Sequence, residues 1–215
     1  MRYRWLVFGL LIVIIGGLGG CALFDQPPTA NFTWSPQDPL ARKDVQFTDL
    51  SSDSGGLFSS GGIVSWSWDF GDNGSSPSQN PKHKYEKSGT YPVKLTVVDG
   101  SGNSTTIQKT ITVTPSLDGV WSGFIVNPGG LTDSFELNFH HSSSGGISGT
   151  VVYAATVLNA ASISFDDVSK VVSFQVPGMG IRLEGTLDAS ETRITGFWYV
   201  LGAPAQGFTW DVTLQ

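Results

Sequence analysis

The chain has 215 residues, 12 Lys and Arg against 18 Asp and Glu, a formal net charge of −6, and a single cysteine. An acidic chain has no electrostatic footprint for nucleic acid and no attraction to anionic lipid, and a lone cysteine excludes an intrachain disulfide. Stability must come from apolar burial, for which seven Trp and thirteen Phe supply the material.

Residues 1–20 read as a secretion signal. Met1-Arg2-Tyr3-Arg4 is a short cationic start, the run from Trp5 to Ile15 is apolar, and Gly16-Gly17-Leu18-Gly19-Gly20 leads small residues up to Cys21. The apolar run is short for a helix crossing ~30 Å of hydrocarbon. Leu18-Gly19-Gly20-Cys21 resembles a bacterial lipobox. That resemblance implies cleavage before Cys21, acylation of Cys21 by fatty acids such as palmitate, and anchoring on the extracytoplasmic side of a bacterial cell envelope. An uncleaved anchor and an ordinary signal peptide are the alternatives. Ala22 resembles the residue that sorts such proteins to the outer membrane, where the bacterium has one. Arg2 and Arg4 leave with the signal, which takes the formal charge to −8. The acyl chains must then hold the protein, at about 0.8 kcal/mol per buried methylene. Residues 21–28 form a lipidated tether, of which Ala22 to Pro28 reaches at most ~25 Å when extended.

Beyond the signal no run approaches ~18 apolar residues. Short stretches of alternating apolar and polar residues, separated by Gly, Ser, Asp, Asn and Pro, predict an all-β protein throughout. Residues 29–115 are expected to form a first domain, with strands over 29–34, 44–48, 63–70, 90–98 and 105–113 and a short one at His83-Lys84-Tyr85. Val64, Trp66, Trp68 and Phe70 share one face at period two, which predicts an aromatic core face. Gly71 and Gly74 can supply the positive φ of a tight turn, and Asp72 and Asn73 are turn formers.

Trp68-Asp69-Phe70-Gly71-Asp72-Asn73-Gly74 resembles the hallmark of the polycystic-kidney-disease (PKD) repeat. The order around it matches as well: Ala30-Asn31-Phe32, Val45-Gln46-Phe47-Thr48-Asp49, Asn80-Pro81, Gly89-Thr90-Tyr91 and Val93-Lys94-Leu95-Thr96-Val97. The resemblance implies an immunoglobulin-like β-sandwich outside the cytoplasm that serves contact or spacing. Tyr91 resembles the tyrosine corner of such sandwiches. The Ser- and Gly-rich stretch 51–62 is longer than the family's usual turn. Asp69 and Asp72 are candidate paired carboxylates, and with Asp49 and Asp53 candidate calcium ligands. Their spacing speaks for turn stabilisation, since calcium needs six or more clustered oxygens. His83 fits the strand pattern. Asn31, Asn73 and Asn103 head formal glycosylation sequons that carry no information in a bacterial lipoprotein.

Residues 117–215 are expected to form a second domain, with strands over 119–126, 133–140, 146–153, 160–165, 170–176, 181–187, 193–200 and 208–214. Phe135, Leu137 and Phe139 oppose Ser134, Glu136 and Asn138, and Phe208, Trp210, Val212 and Leu214 oppose Thr209, Asp211 and Thr213. Short connections favour sequential antiparallel pairing, hence an up-and-down barrel of about eight strands or a strongly curled sheet. Gly119-Val120-Trp121 resembles the Gly-x-Trp opening of lipocalin- and avidin-like barrels, from which no ligand is carried over. An outer-membrane barrel is disfavoured by short strands. The bulky Phe, Trp, Leu and Ile of the apolar faces are expected to fill a narrow eight-stranded interior and leave no room for a small hydrophobic ligand, although Gly149, Gly185 and Gly196 each remove a side chain and pull the other way.

His140 and His141 point to opposite faces of a strand, which excludes easy capture of one metal and predicts an exposed strand end. Phe197 and Tyr199 alternate away from Ile194 and Trp198, so one set is a candidate binding surface. Glu136, Glu184, Asp166 and Asp167 show no spacing that makes a catalytic pair converge. The expectation is a non-enzymatic, lipid-anchored envelope protein with no catalytic residue, metal or cofactor. Its sandwich acts as spacer or contact module and presents the barrel for protein or glycan binding. The alternatives are a carrier of a small hydrophobic ligand in the barrel, and an accessory or enzyme acting on polysaccharide.

Overall fold

The computed structural model describes residues 26–54, 62–142, 144–202 and 207–215. The chain is built from strands, in the order β1 (Phe32–Ser35), β2 (Asp44–Asp49), β3 (Ile63–Asp69), β4 (Ser75–Ser76), β5 (Lys82–Lys84), β6 (Gly89–Asp99), β7 (Ser104–Val113), β8 (Gly119–Val126), β9 (Thr132–His141), β10 (Ile147–Tyr153), β11 (Thr156–Asn159), β12 (Ala161–Asp166), β13 (Val171–Val176), β14 (Ile181–Leu187), β15 (Arg193–Val200) and β16 (Phe208–Leu214). A 3-10 turn, Pro177–Met179, joins β13 to β14. Two compact units emerge. One holds the described residues up to Thr33 with Phe47–Pro81 and Pro92–Lys109; the other holds Trp34–Gln46, Lys82–Tyr91 and Thr110–Gln215.

The first seven strands make an immunoglobulin-like sandwich of a three-stranded sheet, β1-β2-β5, and a four-stranded sheet, β4-β3-β6-β7. Its aromatic core joins the sheets: Trp68 lies 5.1 Å from Phe32 and 5.5 Å from Phe47 between ring centres, and Phe70 lies 5.1 Å from Phe47. The predicted core face is half right. Trp68 and Phe70 are fully buried, but Val64 is 61% exposed. The pairing of β3 with β6 shifts register between Ile63 and Ser65, and this irregularity breaks the alternation that would have turned Val64 inward. Gly71 has φ +81, and a Cβ there would sit 2.8 Å from the Pro92 ring, so the hallmark glycine is a steric requirement.

The remaining strands form one nine-stranded antiparallel sheet, ordered β11-β10-β9-β8-β16-β15-β14-β13-β12, that curls into a nearly closed barrel. The first and last of its strands, β8 and β16, pair with each other, Trp121 opposite Leu214 and Ile125 opposite Trp210. Of the two expected forms, barrel or strongly curled sheet, the sheet stops just short of closing: β11 and β12 are its two edges. Only Ala160 separates them, too short for a two-residue hairpin, and its N–H is spent on the Gly149 carbonyl. Strand β11 is an addition to the predicted set. It returns from β10 through Ala154 and Ala155, both at positive φ, a turn usually signalled by Asn or Gly.

The interior is packed with aromatic rings in mutual contact. Phe139 lies 5.4 Å from Phe174, and Trp210 lies 6.1 Å from Phe174 and 6.3 Å from Phe135. The interior glycines do not open space. Gly185 pairs with Gly196 across β14 and β15, and the Trp210 indole occupies the room they leave; a Cβ on Gly185 would meet it at 2.5 Å. A Cβ on Gly196 would lie 2.0 Å from the Glu184 carbonyl oxygen, so backbone itself fills that position.

Candidate functional site

The hallmark carboxylates are consumed by their own turn. Asp69 accepts the Gly71 N–H at 3.0 Å and Asp72 accepts the Gly74 N–H at 2.9 Å. Asp49 accepts the Trp66 indole N–H at 2.7 Å and the Ser51 N–H at 2.9 Å. Partial burial pushes its carboxyl up, but these bonds and one from Gln79 outweigh burial and hold it below the usual range. Asp53 is engaged separately, by the Gly62 N–H at 2.7 Å. Among the described residues no three His, Cys, Asp or Glu side chains gather to hold a metal. The Tyr91 hydroxyl donates to the Lys87 carbonyl at 2.8 Å, the bond expected of a tyrosine corner.

Three candidate carboxylates of the curled sheet are similarly occupied. Glu136 accepts from Asn138 at 2.9 Å, Glu184 pairs with Arg182 at 3.0 Å, and Asp166 closes a turn through the Val168 and Ser169 N–H groups. The two histidines take opposite faces, as their adjacency requires. His140 is exposed and faces Asp118 at 3.1 Å. His141 corrects the expectation of an exposed strand end: it is 7% exposed, and its ring packs edge-on to Phe165. Its Nδ1 accepts the Leu117 N–H at 3.4 Å.

Burial pushes the His141 imidazole down, against the opposing pull of the Asp118 carboxylate. The unfolded chain, with an ordinary histidine near 6.5, therefore takes up this proton before the folded chain does. His141 contributes stability that is complete above about pH 6.5 and is lost as the pH falls through its lowered folded value. The urea midpoint of the curled sheet should decline as the pH falls from about 6.5 through the lowered His141 value. His141→Gln should flatten that decline. A midpoint with the same pH slope in both proteins counts against this role for His141.

The outer face of β8, β16, β15 and β14 is different in kind. On β15, Ile194 and Trp198 turn inward, and Thr195, Phe197 and Tyr199 turn outward. On β8, Phe124 turns away from the buried Trp121 and Ile125. Register sets Phe124 opposite Asp211 and Phe197 opposite Thr209, so the two phenyl rings flank β16. Phe124 is 60% and Phe197 51% exposed, and Tyr199 is half-buried. Phe124 and Phe197 border a shallow groove of about 480 Å³ whose lining includes Thr186, Thr195, Thr209 and Asp211. The Arg193 guanidinium grips Asp211 through Nε at 2.9 Å and through Nη2, and holds its carboxyl below the usual range.

Phe197 and Tyr199 thus join a surface that also includes Phe124, which sequence reasoning did not single out. The signal was present: period two over residues 119–126 places Phe124 on the face opposite Trp121. Cys21 lies outside the described residues.

A family model for the PKD domain matches residues 25–115. Over 90 residues the chain is 39% identical to collagenase ColQ1 of Bacillus cereus strain Q1, a stretch covering 41% of this chain and 9% of ColQ1. The chain therefore spans less than a tenth of that relative's length. The solved PKD1 domain of the Vibrio cholerae metalloprotease PrtV is 40% identical, with a TM-score of 0.35 over 41% of this chain and 98% of that domain. A structure from a study of carbohydrate-binding modules of the β-sandwich superfamily is similar at 20% identity and a TM-score of 0.39, over 89% of this chain and 93% of its own.

Proposed function

Residues 25–115 make the chain a member of the PKD-domain family, and from that premise we propose that it is a lipid-anchored envelope protein. Its sandwich is a spacer or contact module, and its curled sheet binds a protein or glycan partner on the outer face. The observation that carries this reading is the contrast between the two faces of the sheet. The interior is filled by rings in contact, whereas Phe124 and Phe197 stand exposed beside a groove. Apolar surface of this kind gains most free energy when a partner covers it. A filled interior speaks for partner binding and against carriage of a small hydrophobic ligand.

The role is binding and not catalysis. Asp69, Asp72 and Asp166 serve turns, and Glu184 and Asp211 are tied to arginines, so none is poised as an acid or base. The 90 residues matched to ColQ1 are about the length of the PKD segment, residues 25–115.

Anchoring rests on the Leu18-Gly19-Gly20-Cys21 segment. Cys21→Ser should lose all label from a clickable palmitate analogue, because serine offers no thiol to acylate; undiminished label on that variant removes the anchor from the reading. The binding face is tested by a photo-crosslinking residue placed at Phe197 in cells. It should capture an envelope component that the same residue at Val168, exposed on a turn, does not. Equal capture from both positions counts against the outer face as the binding surface.

A further inference from the structure

We infer that the groove between Phe124 and Phe197 takes a neutral, linear oligosaccharide segment. The inference rests on the reading above that the outer face is the binding surface.

Charge balance is the first observation. The face formed by β14, β15 and β16 carries Arg182, Glu184, Arg193 and Asp211. They cancel in pairs, Arg182 with Glu184 at 3.0 Å and Arg193 with Asp211 through a two-point contact. The chain as a whole is at −6, so this face is neutral on an acidic protein. A charged peptide, a polyanionic glycan or a nucleic acid would find no uncompensated charge here to offset its own desolvation. A neutral ligand meets no such penalty.

The second observation is the chemistry between the rings. Thr186, Thr195 and Thr209 line the groove and are exposed. Among the described residues none of their hydroxyls has a hydrogen-bond partner in the protein. A hydroxyl both donates and accepts, which matches a ligand rich in hydroxyls better than one offering only carbonyls or only amides. The phenyl rings complete the match. A sugar ring presents C–H bonds on its face and hydroxyls at its rim, and the negative face of an aromatic ring attracts the C–H face.

The third observation is spacing. Phe124 sits on β8 and Phe197 on β15, with β16 between them, and their partners on β16 are two residues apart. The two positions are therefore separated by roughly 10 Å across the sheet and roughly 7 Å along it. That exceeds one sugar ring, so the two aromatics engage different units of one chain, and a monosaccharide reaches only one of them.

The experiment is affinity electrophoresis of the full chain through gels containing xylan, mixed-linkage β-glucan, glucomannan or glycogen, with alginate and heparin as charged comparators. At least one neutral polysaccharide should retard the protein. Phe124→Ala and Phe197→Ala should each weaken that retention about tenfold, with unchanged melting curves, since both rings are exposed. Thr209→Val should weaken it by a smaller factor, and Val168→Ala should leave it intact. Oligosaccharides should compete far better than the monosaccharide. Retention by none of the neutral polymers, retention by the charged ones alone, or full retention by both phenylalanine variants overturns the inference. Self-association abolished by Phe197→Ala, without glycan retention, also overturns it and assigns the face to a second copy. Capture of a protein by the crosslinker at Phe197, again without glycan retention, overturns the glycan while leaving the binding-face reading standing. Failure of both measurements removes both.

Discussion

Trp68→Ala should destabilise the sandwich by about 3–5 kcal/mol, enough to unfold a domain of ordinary stability. The indole is 1% exposed and stands among Phe32, Phe47 and Phe70, with ring centres 5.1 to 6.3 Å away. Its Nε1–H donates to the Ser78 carbonyl at 2.9 Å, which ties the core to the segment after β4. Removing the ring takes away the transfer term, leaves a cavity that the two hydrogen-bonded sheets cannot close, and orphans that carbonyl. Urea unfolding of the full chain, followed by hydrogen exchange, would resolve the two parts separately. Protection within residues 29–115 should collapse at urea concentrations about 2 M lower, while residues 117–215 keep theirs. A loss under about 1 kcal/mol means that Trp68 does not anchor the core.

The opposite pattern is expected from Trp210→Ala. This indole is 2% exposed at the centre of the curled sheet and touches Phe135 and Phe174. Its N–H is shared between the Glu184 and Phe197 carbonyls, each at 3.2 Å. It also fills the space left by Gly185, so no neighbouring side chain is available to move into the void. A loss of about 3–5 kcal/mol should appear in residues 117–215 alone. Phe197→Ala, one strand away but facing out, should change stability by no more than about 0.5 kcal/mol. If the two variants prove equally mild, the interior is not packed as described, and carriage of a ligand inside the barrel regains its place.

These two tryptophans show what could be read directly. Both lie on strands whose alternation is unbroken over the decisive residues, and a side-chain period of two assigns the inner face once one large aromatic is taken as buried. The same logic found β14, β15 and β16 with their bounds, and the Asp69-to-Gly74 turn, because turn chemistry acts over neighbouring residues. It failed at Val64, where a register shift between paired strands re-aims the chain. It failed at β11, where Ala154 and Ala155 adopt a turn that alanine does not announce. It failed at His141, whose burial depends on residues such as Phe165 that are distant in sequence.

The candidate site divides along the same line. That Phe197 and Tyr199 share a face opposite Ile194 and Trp198 is a local fact, determined by the sequence alone. Which of the two faces meets solvent was decided by the closing of β16 onto β8, since curvature gives the sheet one concave side with room for a core and one convex side without. The same pairing brought Phe124, Thr209 and Phe197 together from strands far apart in the chain. The charge balance of that face was likewise set by register, which places Asp211 within reach of Arg193. Local pattern specified the strands and the residues each could offer; only long-range hydrogen bonding chose which of them would stand side by side.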